Sequence, residues 1–204
     1  LPGRADVEPA DVDGWLRQTA AALVTIRAAD QTALTGVQLR PAWHSVRALD
    51  RPSRSMLVAR TLQALEAGLP EDDEVVFSHG DFHPGNLLWR RGRLTGVVDW
   101  VDVHLGSRWQ DVAYCRTYIT ILLGCRAADR FLNDYEVLAG VQPRNLRLWD
   151  LYCALEAVRK HHLLLVAYHG LGGSRLTLRQ MRARLTVFIC LLYTSPSPRD
   201  RQKS

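Results

Sequence analysis

The sequence predicts an α+β fold in which helices dominate, because two different periodicities divide the chain. Hydrophobic residues recur every three or four positions before Gly68 and again after Gln110, which is the spacing of amphipathic helices. Between these parts, short β-branched and aromatic runs are separated by turn residues, as expected of strands. The predicted order is therefore two helices, a small β-unit and a longer series of helices.

Capping residues and terminating glycines set the bounds of the predicted helices. Apolar side chains at three- and four-residue offsets then give each helix one face that can be buried. In chain order, the predicted helices are Trp15–Ala29 behind an Asp11 or Asp13 cap, a second from Ser53 or Ser55 to Gly68 and Pro70, a third from Gln110, Ala128–Ala139 before Gly140, Asn145–His169 before Gly170, and Arg175 to about Leu192.

Three strands are predicted in the central β-unit. The second and third are joined by a turn around Gly92, which is typical of a β-hairpin. The predicted strands are Val75–Phe77, Leu87–Trp89 and Leu94–Trp100.

Composition bounds the class of protein. The chain has 204 residues, of which 47% are hydrophobic and 23% charged, enough for one sizeable core. The formal net charge of +5 is spread without a basic block or an aromatic–basic reader motif, so we expect no nucleic-acid partner. No apolar run reaches the ~18–20 residues that span a bilayer, so no membrane partner is expected. The four cysteines show no metal or disulfide spacing, and Cys115, Cys125 and Cys153 lie in apolar helical stretches. This favours buried reduced thiols at those three positions and a cytoplasmic location.

The end of the chain differs from the rest. After Ile189 an apolar helix gives way to serine, proline and arginine without a capping signal, and Cys190–Ser204 resembles the translated read-through of a DNA-sequencing adapter. We therefore expect residues 1–189 to form the domain and residues 190–204 to be a non-native tail. A native, disordered basic tail is the alternative.

The chemistry is concentrated in the central β-unit. Asp81 and Asn86 fall on the loop after the first strand, and Asp99 falls at the end of the third. Asp81 or Asn86 alone would be an ordinary turn residue, whereas Asp99, at a strand end and followed by Trp100, is better explained as a metal ligand than by packing. Together, a carboxylate, an amide five residues later and a second carboxylate thirteen further on suit magnesium-assisted phosphoryl transfer. His79, Asp81 and His83 alternate, which keeps a transition-metal phosphohydrolase open as a rival.

The run from Val75 to Tyr114 resembles the catalytic core of the aminoglycoside phosphotransferase and choline kinase-like family, which shares the protein-kinase fold. The family pattern corresponds here to His79-Gly80-Asp81, Asn86, Val98-Asp99-Trp100 and Asp111. The resemblance implies that Asp81 is the catalytic base and that Asn86 and Asp99 hold Mg²⁺. It implies ATP or GTP as donor and a small-molecule hydroxyl compound as acceptor. The residues it implies as supporting ones are His79, His83, Trp100 and Asp111.

The resemblance also implies parts that the chain does not show. A kinase of this fold covers the nucleotide with a glycine-rich loop and grips its phosphates with a lysine from an N-terminal lobe. The two lysines, Lys160 and Lys203, both follow the catalytic loop, and residues 1–74 contain no glycine-rich run. We therefore expect the C-terminal, catalytic lobe alone, with the N-terminal lobe absent and the isolated chain inactive.

The sequence leaves alternatives open for some residue roles in this region, for the function and for the acceptor. The family often has Asp-Pro where this chain has Gly106-Ser107-Arg108, which leaves the support of the site there undecided. His104 is expected to line the mouth of the site or to bond locally, and Asp102 is a further acid near the metals or a solvated one. A metal-dependent phosphohydrolase and a non-catalytic kinase-like binding module are the alternative functions. The acceptors considered are an aminoglycoside-type antibiotic, a macrolide, choline, a sugar and a homoserine-like metabolite.

Overall fold

The computed structural model describes residues 2–29, 36, 56–66, 75–143 and 145–194. Within these residues it is a mostly helical α+β fold, as predicted. The strands are β1 (Arg4–Ala5), β2 (Val75–Ser78), β3 (Leu87–Arg90), β4 (Arg93–Val97) and β5 (His104–Ser107). The helices are α1 (Val12–Arg27), α2 (Met56–Glu66), α3 (Arg108–Leu123), α4 (Cys125–Ala139), α5 (Leu146–Gly170) and α6 (Leu178–Thr194).

The strands form two small antiparallel sheets. One has the order β1-β3-β4, with Leu87 opposite Val97 in the predicted hairpin. The other pairs β2 with β5, so that Ser78 lies opposite His104. The hairpin places the start of β3 beside the end of β4, and a hydrogen bond between His79, directly after β2, and the Val98 oxygen joins the end of β2 to them. The candidate site residues lie in this region.

Two short strands were not predicted, and one predicted strand was too long. β1 has only two residues, and β5 reads His-Leu-Gly-Ser, which lacks both the alternation and the β-branched residues that mark a strand. The predicted third strand was wrong beyond Val97, because Asp99 has a φ of +64°, a left-handed conformation that a strand cannot continue through.

The predicted helices are all present, with shifted ends. The Asp11 carboxylate caps α1 by accepting a hydrogen bond from the Gly14 amide (3.0 Å), so the helix starts three residues earlier than predicted. Gly140 ends α4 in a left-handed conformation, as its position predicted. The expected boundary residues of α2 (Ser53, Ser55, Gly68 and Pro70) lie outside the described residues.

The main core lies between α1, α3, α4, α5 and the hairpin. Trp15 of α1 stacks on Trp89 of β3 with ring centroids 5.8 Å apart, and the fully buried side chain of Trp149 from α5 belongs to the same core. Aromatic residues of this size bury large areas and dominate core energetics. This packing holds the β-unit, and therefore the candidate site, against the helices.

The segment after β1 is tied to the other end of the fold. The Glu8 carboxylate accepts hydrogen bonds from the Tyr168 hydroxyl and from the backbone amides of Ser174 and Arg175 (2.8 Å each). These bonds lower the pKa of Glu8 to about 2, and the bond from Tyr168 has the largest effect on that pKa. The N-terminal segment is thereby fixed to the turn between α5 and α6.

All four cysteines are free. Cys115 and Cys153 are buried as predicted, whereas Cys125, also predicted to be buried, is only partly so. Cys190, for which no burial was predicted, is exposed. The α6 helix continues through Cys190 to Thr194, so the first residues of the predicted tail are helical, and the non-native origin of 190–204 stays a prediction. None of the helices in the described ranges is long and apolar enough to cross a membrane.

Candidate active site

The loop that follows β2 runs from His79 to a short 3₁₀ helix, Pro84–Asn86, which leads directly into β3. Gly80 makes the sharp turn at its start, with a φ of +84°. A Cβ atom at this position would lie 2.1 Å from the backbone oxygen of Asp102. Only glycine combines that conformation with so close an approach of two backbones. Gly80 therefore sets the position of the backbone at Asp81.

Asp111 anchors the start of this loop. It lies in the first turn of α3 and is fully buried. Its carboxylate accepts hydrogen bonds from the backbone amides of His79 (2.8 Å) and Gly80 (3.0 Å). Two charge-assisted bonds to consecutive amides hold the loop to α3 at the residue before Asp81.

The support of α3 itself comes from Ser107 rather than from the Asp-Pro pair frequent in the family. The Ser107 hydroxyl accepts a hydrogen bond from the Trp109 amide (3.2 Å) and caps the helix. Gly106 and Ser107 belong to β5 and pair with Val76 and Val75. The position of Asp111 is therefore set by a strand and a helix cap.

His79 braces the loop from inside and has no solvent exposure. Its Nδ1 accepts a hydrogen bond from the Asp81 amide (3.3 Å), so its Nε2 carries the proton and donates to the Val98 oxygen (3.0 Å). The ring also contacts Trp100, at a centroid distance of 4.5 Å. His79 thus ties the Asp81 loop to the residue preceding Asp99.

The Asp81 carboxylate is held by several donors. The Asn86 Nδ2 donates to its Oδ2 (3.0 Å) and to the Asp81 backbone oxygen (2.9 Å), and the His83 Nε2 lies 3.5 Å from Oδ2. Partial burial raises the pKa of Asp81, but the hydrogen bonds and charge of His83, with smaller effects of Tyr114 and Asn86, outweigh it and lower the pKa to about 2. The group is therefore ionised at neutral pH.

Asn86 and Asp99 lie at the same end of the hairpin. The Asn86 backbone oxygen accepts a hydrogen bond from the Val98 amide (3.0 Å), one residue before Asp99. The amide nitrogen of Asn86 is committed to Asp81, which leaves the amide oxygen available as a ligand. Asp99 is exposed, and its left-handed backbone is a conformation that aspartate tolerates better than most residues.

An amide oxygen and an exposed carboxylate at the same hairpin end suit a hard divalent cation such as Mg²⁺. Trp100 borders this end: its indole nitrogen donates to the Val97 oxygen (2.9 Å), and its ring stacks on Phe77. Trp100 is 40% exposed, which is unusual for a tryptophan inside such a network. The Asn86 amide oxygen and the Asp99 carboxylate, beside this tryptophan, are ligand types that fit a Mg²⁺ ion.

The geometry of the histidines does not favour a transition-metal site. Both ring nitrogens of His79 are already hydrogen-bonded, and the Nδ1 of His83 accepts from the Gly85 amide (3.0 Å). His104 bonds locally to the Asp102 oxygen (2.8 Å) and the Gln110 side chain (3.0 Å), one of its two predicted roles. Within the described ranges, no group of three or more His, Cys, Asp or Glu side chains is placed to hold a metal.

Two residues near Asp81 were not predicted from the sequence to belong to the site. Tyr114 and Tyr118 of α3 lie beside His83, with centroid distances of 6.0 Å and 4.5 Å to its ring. Their spacing from Asp111, three and seven residues, puts all three on one face of the helix. That spacing was a signal in the sequence that could have identified them.

Comparison with known proteins places this chain in a family. The sequence profile described as Phosphotransferase enzyme family (APH) matches residues 1–150, which is most of the chain and includes every predicted site residue. The chain belongs to the phosphotransferase enzyme family. An aminoglycoside 3'-phosphotransferase of Enterococcus faecalis is 28% identical to it over 72 residues, a stretch covering 35% of this chain and 26% of that protein.

Solved structures of phosphotransferases share the fold. A macrolide 2'-phosphotransferase type I superposes with a TM-score of 0.60 at 20% identity, covering 92% of this chain and 64% of that one. A thermostable mutant of aminoglycoside phosphotransferase APH(4)-Ia, in ternary complex with ADP and hygromycin B, superposes with a TM-score of 0.60 at 19% identity, covering 96% and 70%. The chain thus spans under two thirds of the length of the macrolide phosphotransferase.

Proposed function

We propose that these residues form the catalytic lobe of a protein-kinase-like enzyme that transfers the γ-phosphate of ATP or GTP to a hydroxyl group of a small molecule. The observation that carries the proposal is the Asp81 carboxylate, which Asn86 and His83 orient and keep ionised beside the hairpin end that bears Asp99. Membership of the phosphotransferase enzyme family supports it.

Asp81 would act on the acceptor. An ionised carboxylate accepts a hydrogen bond from the attacking hydroxyl, orients it towards the phosphorus and takes its proton as the phosphoryl group moves across. A pKa near 2 makes Asp81 a weak base, so its first task is orientation, and the proton moves late. The donors around the carboxylate fix its direction before the acceptor arrives.

Asn86 and Asp99 would hold Mg²⁺ through the amide oxygen and the carboxylate. When bound, Mg²⁺ neutralises charge on the nucleotide phosphates. The hydrogen bond between the Asn86 amide and Asp81 couples the two parts of the site, because one side chain faces both. Displacing Asn86 would therefore disturb the base and the metal together.

We propose that the glycine-rich loop and the lysine that bind the nucleotide phosphates lie outside these 204 residues. The chain has no lysine before Asp81 and no glycine-rich run in residues 1–74, whereas phosphoryl transfer in this fold uses both. The chain covers 64% of the macrolide phosphotransferase, which leaves room in such a protein for a further lobe. The isolated chain would then transfer phosphate poorly.

The acceptor is proposed only as a class. The structural relative that binds ADP and hygromycin B, together with the macrolide and aminoglycoside enzymes, supports a small hydroxyl compound. The candidates are an aminoglycoside-type antibiotic, a macrolide, choline, a sugar or a homoserine-like metabolite.

A product assay tests this function. The complete gene product that contains these residues, incubated with MgATP or MgGTP and a panel of these hydroxyl compounds, should yield a phosphorylated acceptor by mass spectrometry. The isolated 204-residue chain, assayed alongside, should give little product. Hydrolysis of a simple phosphate monoester with Mn²⁺ or Zn²⁺ and no nucleotide would instead identify a phosphohydrolase, and nucleotide binding without either reaction would identify a binding module.

A further inference from the structure

The face of α3 that carries Asp111 continues along the candidate catalytic loop. Tyr114 and Tyr118 follow Asp111 at three and seven residues, so one stripe of the helix faces the loop. Asp111 binds the loop at His79 and Gly80, and the two tyrosines meet it at His83. The helix therefore contacts the loop on both sides of Asp81.

The contact at His83 is a ring stack. The His83 and Tyr118 rings are nearly parallel, with an interplanar angle of 18° and centroids 4.5 Å apart. Tyr114 meets the His83 ring edge-on at 6.0 Å. The hydroxyls of the two tyrosines are hydrogen-bonded to each other (3.1 Å), which joins them into one surface, here called the tyrosine shelf.

His83 has little freedom once it rests on this shelf. Its Nδ1 accepts a hydrogen bond from the Gly85 amide (3.0 Å), which fixes the ring relative to its own backbone. The stack on Tyr118 fixes the ring plane. The remaining nitrogen, Nε2, then lies 3.5 Å from the Asp81 Oδ2, on a carboxylate that Asn86 also holds.

We infer that Tyr118, assisted by Tyr114, is a positioning residue for the transfer reaction, because it sets the plane of His83 and through His83 the direction of the Asp81 carboxylate. This inference rests on the proposed function, in which Asp81 orients the acceptor. In this arrangement α3 supports the candidate catalytic loop at His79 and Gly80 on one side of Asp81 and at His83 on the other. A stacked aromatic pair is well suited to this task, because it fixes a plane without adding charge beside the carboxylate.

The state of the two hydroxyls agrees with this role. Burial, and the proximity of the Asp81 charge, raise the pKa of Tyr114, and burial raises the pKa of Tyr118 to about 12. Both phenols therefore stay neutral in the physiological range and keep their protons. The Tyr114 hydroxyl faces Asp81 and contributes to the lowered pKa of that carboxyl.

The test compares three variants. In Tyr118→Leu the stack is lost, in Tyr118→Phe it is kept, and Tyr152→Leu makes the same change at a partly buried tyrosine that packs edge-on against Trp149. In the complete gene product, Tyr118→Leu should lower kcat on the order of 10-fold or more with little change in the KM for nucleotide, because a small misplacement of a reacting group is costly. Tyr118→Phe should stay near wild type, and Tyr152→Leu should leave kcat unchanged.

A second measurement uses the 204-residue chain and needs no activity. Proton NMR of the His83 ring should show upfield shifts from the Tyr118 ring in the wild type and in Tyr118→Phe, and their loss in Tyr118→Leu. Unchanged His83 shifts in Tyr118→Leu, or a kcat no lower than that of Tyr152→Leu, would overturn the inference. Absence of transfer by the wild-type gene product would instead refute the proposed function, and the NMR result would still decide whether the shelf positions His83.

Discussion

Replacing Asp81 with asparagine should reduce phosphate transfer by about 10²–10⁴-fold in kcat, which is the contribution of a positioned acid–base group. The substitution keeps the size and the hydrogen-bonding reach of the side chain, but an amide cannot take the acceptor proton. The KM for nucleotide should change little, because Asp81 faces the acceptor in the proposed mechanism. Steady-state kinetics of the complete gene product, with the acceptor found in the product assay, measures both constants.

The control for this substitution is Asp13→Asn on the surface of α1. Asp13 pairs with Arg130, and both side chains are more than half exposed, so the change should affect neither kcat nor stability measurably. An Asp81→Asn enzyme with more than about a tenth of the wild-type kcat would show that Asp81 is not the general base.

Replacing Asp111 with alanine should destabilise the 204-residue chain by about 3–6 kcal/mol, since a hydrogen bond to a charged group contributes about 1.5–3 kcal/mol and two are lost. The buried amides of His79 and Gly80 would be left without their acceptor. The loss is a large fraction of the stability of an ordinary domain. Urea unfolding followed by circular dichroism gives the free energy of unfolding of the variant and the wild type.

Asp13→Ala is the matched control, with an expected loss below about 1 kcal/mol because its ion pair is exposed. Amide hydrogen exchange separates a local from a global effect: faster exchange at His79 and Gly80 than in the α1 core would locate the damage in the loop. Equal losses for Asp111→Ala and Asp13→Ala would contradict the anchoring role of Asp111.

Helix ends were predictable where a backbone conformation demands one residue type. Gly140 ends α4 because its left-handed conformation suits glycine, and the predicted end at Ala139 is correct. The start of the same helix was predicted three residues late, at Ala128, because Gly124 precedes it without a side-chain cap. A helix start without a capping side chain leaves no mark in the sequence.

The limits of the strands were harder to predict, because they depend on pairing partners distant in the sequence. β5 is a strand because it pairs with β2, and its own residues carry no strand pattern. The end of β4 is set by the turn of the backbone at Asp99, a residue whose type permits that conformation without requiring it. Neither feature follows from local periodicity.

The candidate site was predictable in its residues but not in its connections. The spacing of Asp81, Asn86 and Asp99 indicated the chemistry, and the structure places Asn86 against Asp81 and one hairpin end. The tautomer of His79 depends on its contacts with the Asp81 amide and Val98, and the tyrosine shelf depends on contacts between α3 and the loop. Such contacts become visible only after the helix is packed.

The proposed function depends most directly on Asp99 as a ligand of Mg²⁺ during phosphate transfer. In the complete gene product, the Mg²⁺ concentration that gives half-maximal transfer should rise by at least about 10-fold in Asp99→Asn, a loss that even an indirect partner of a bound metal can cause. The matched change at the neighbouring exposed acid, Asp102→Asn, should shift it far less. A Mg²⁺ dependence of Asp99→Asn that equals the wild type would contradict the proposed site.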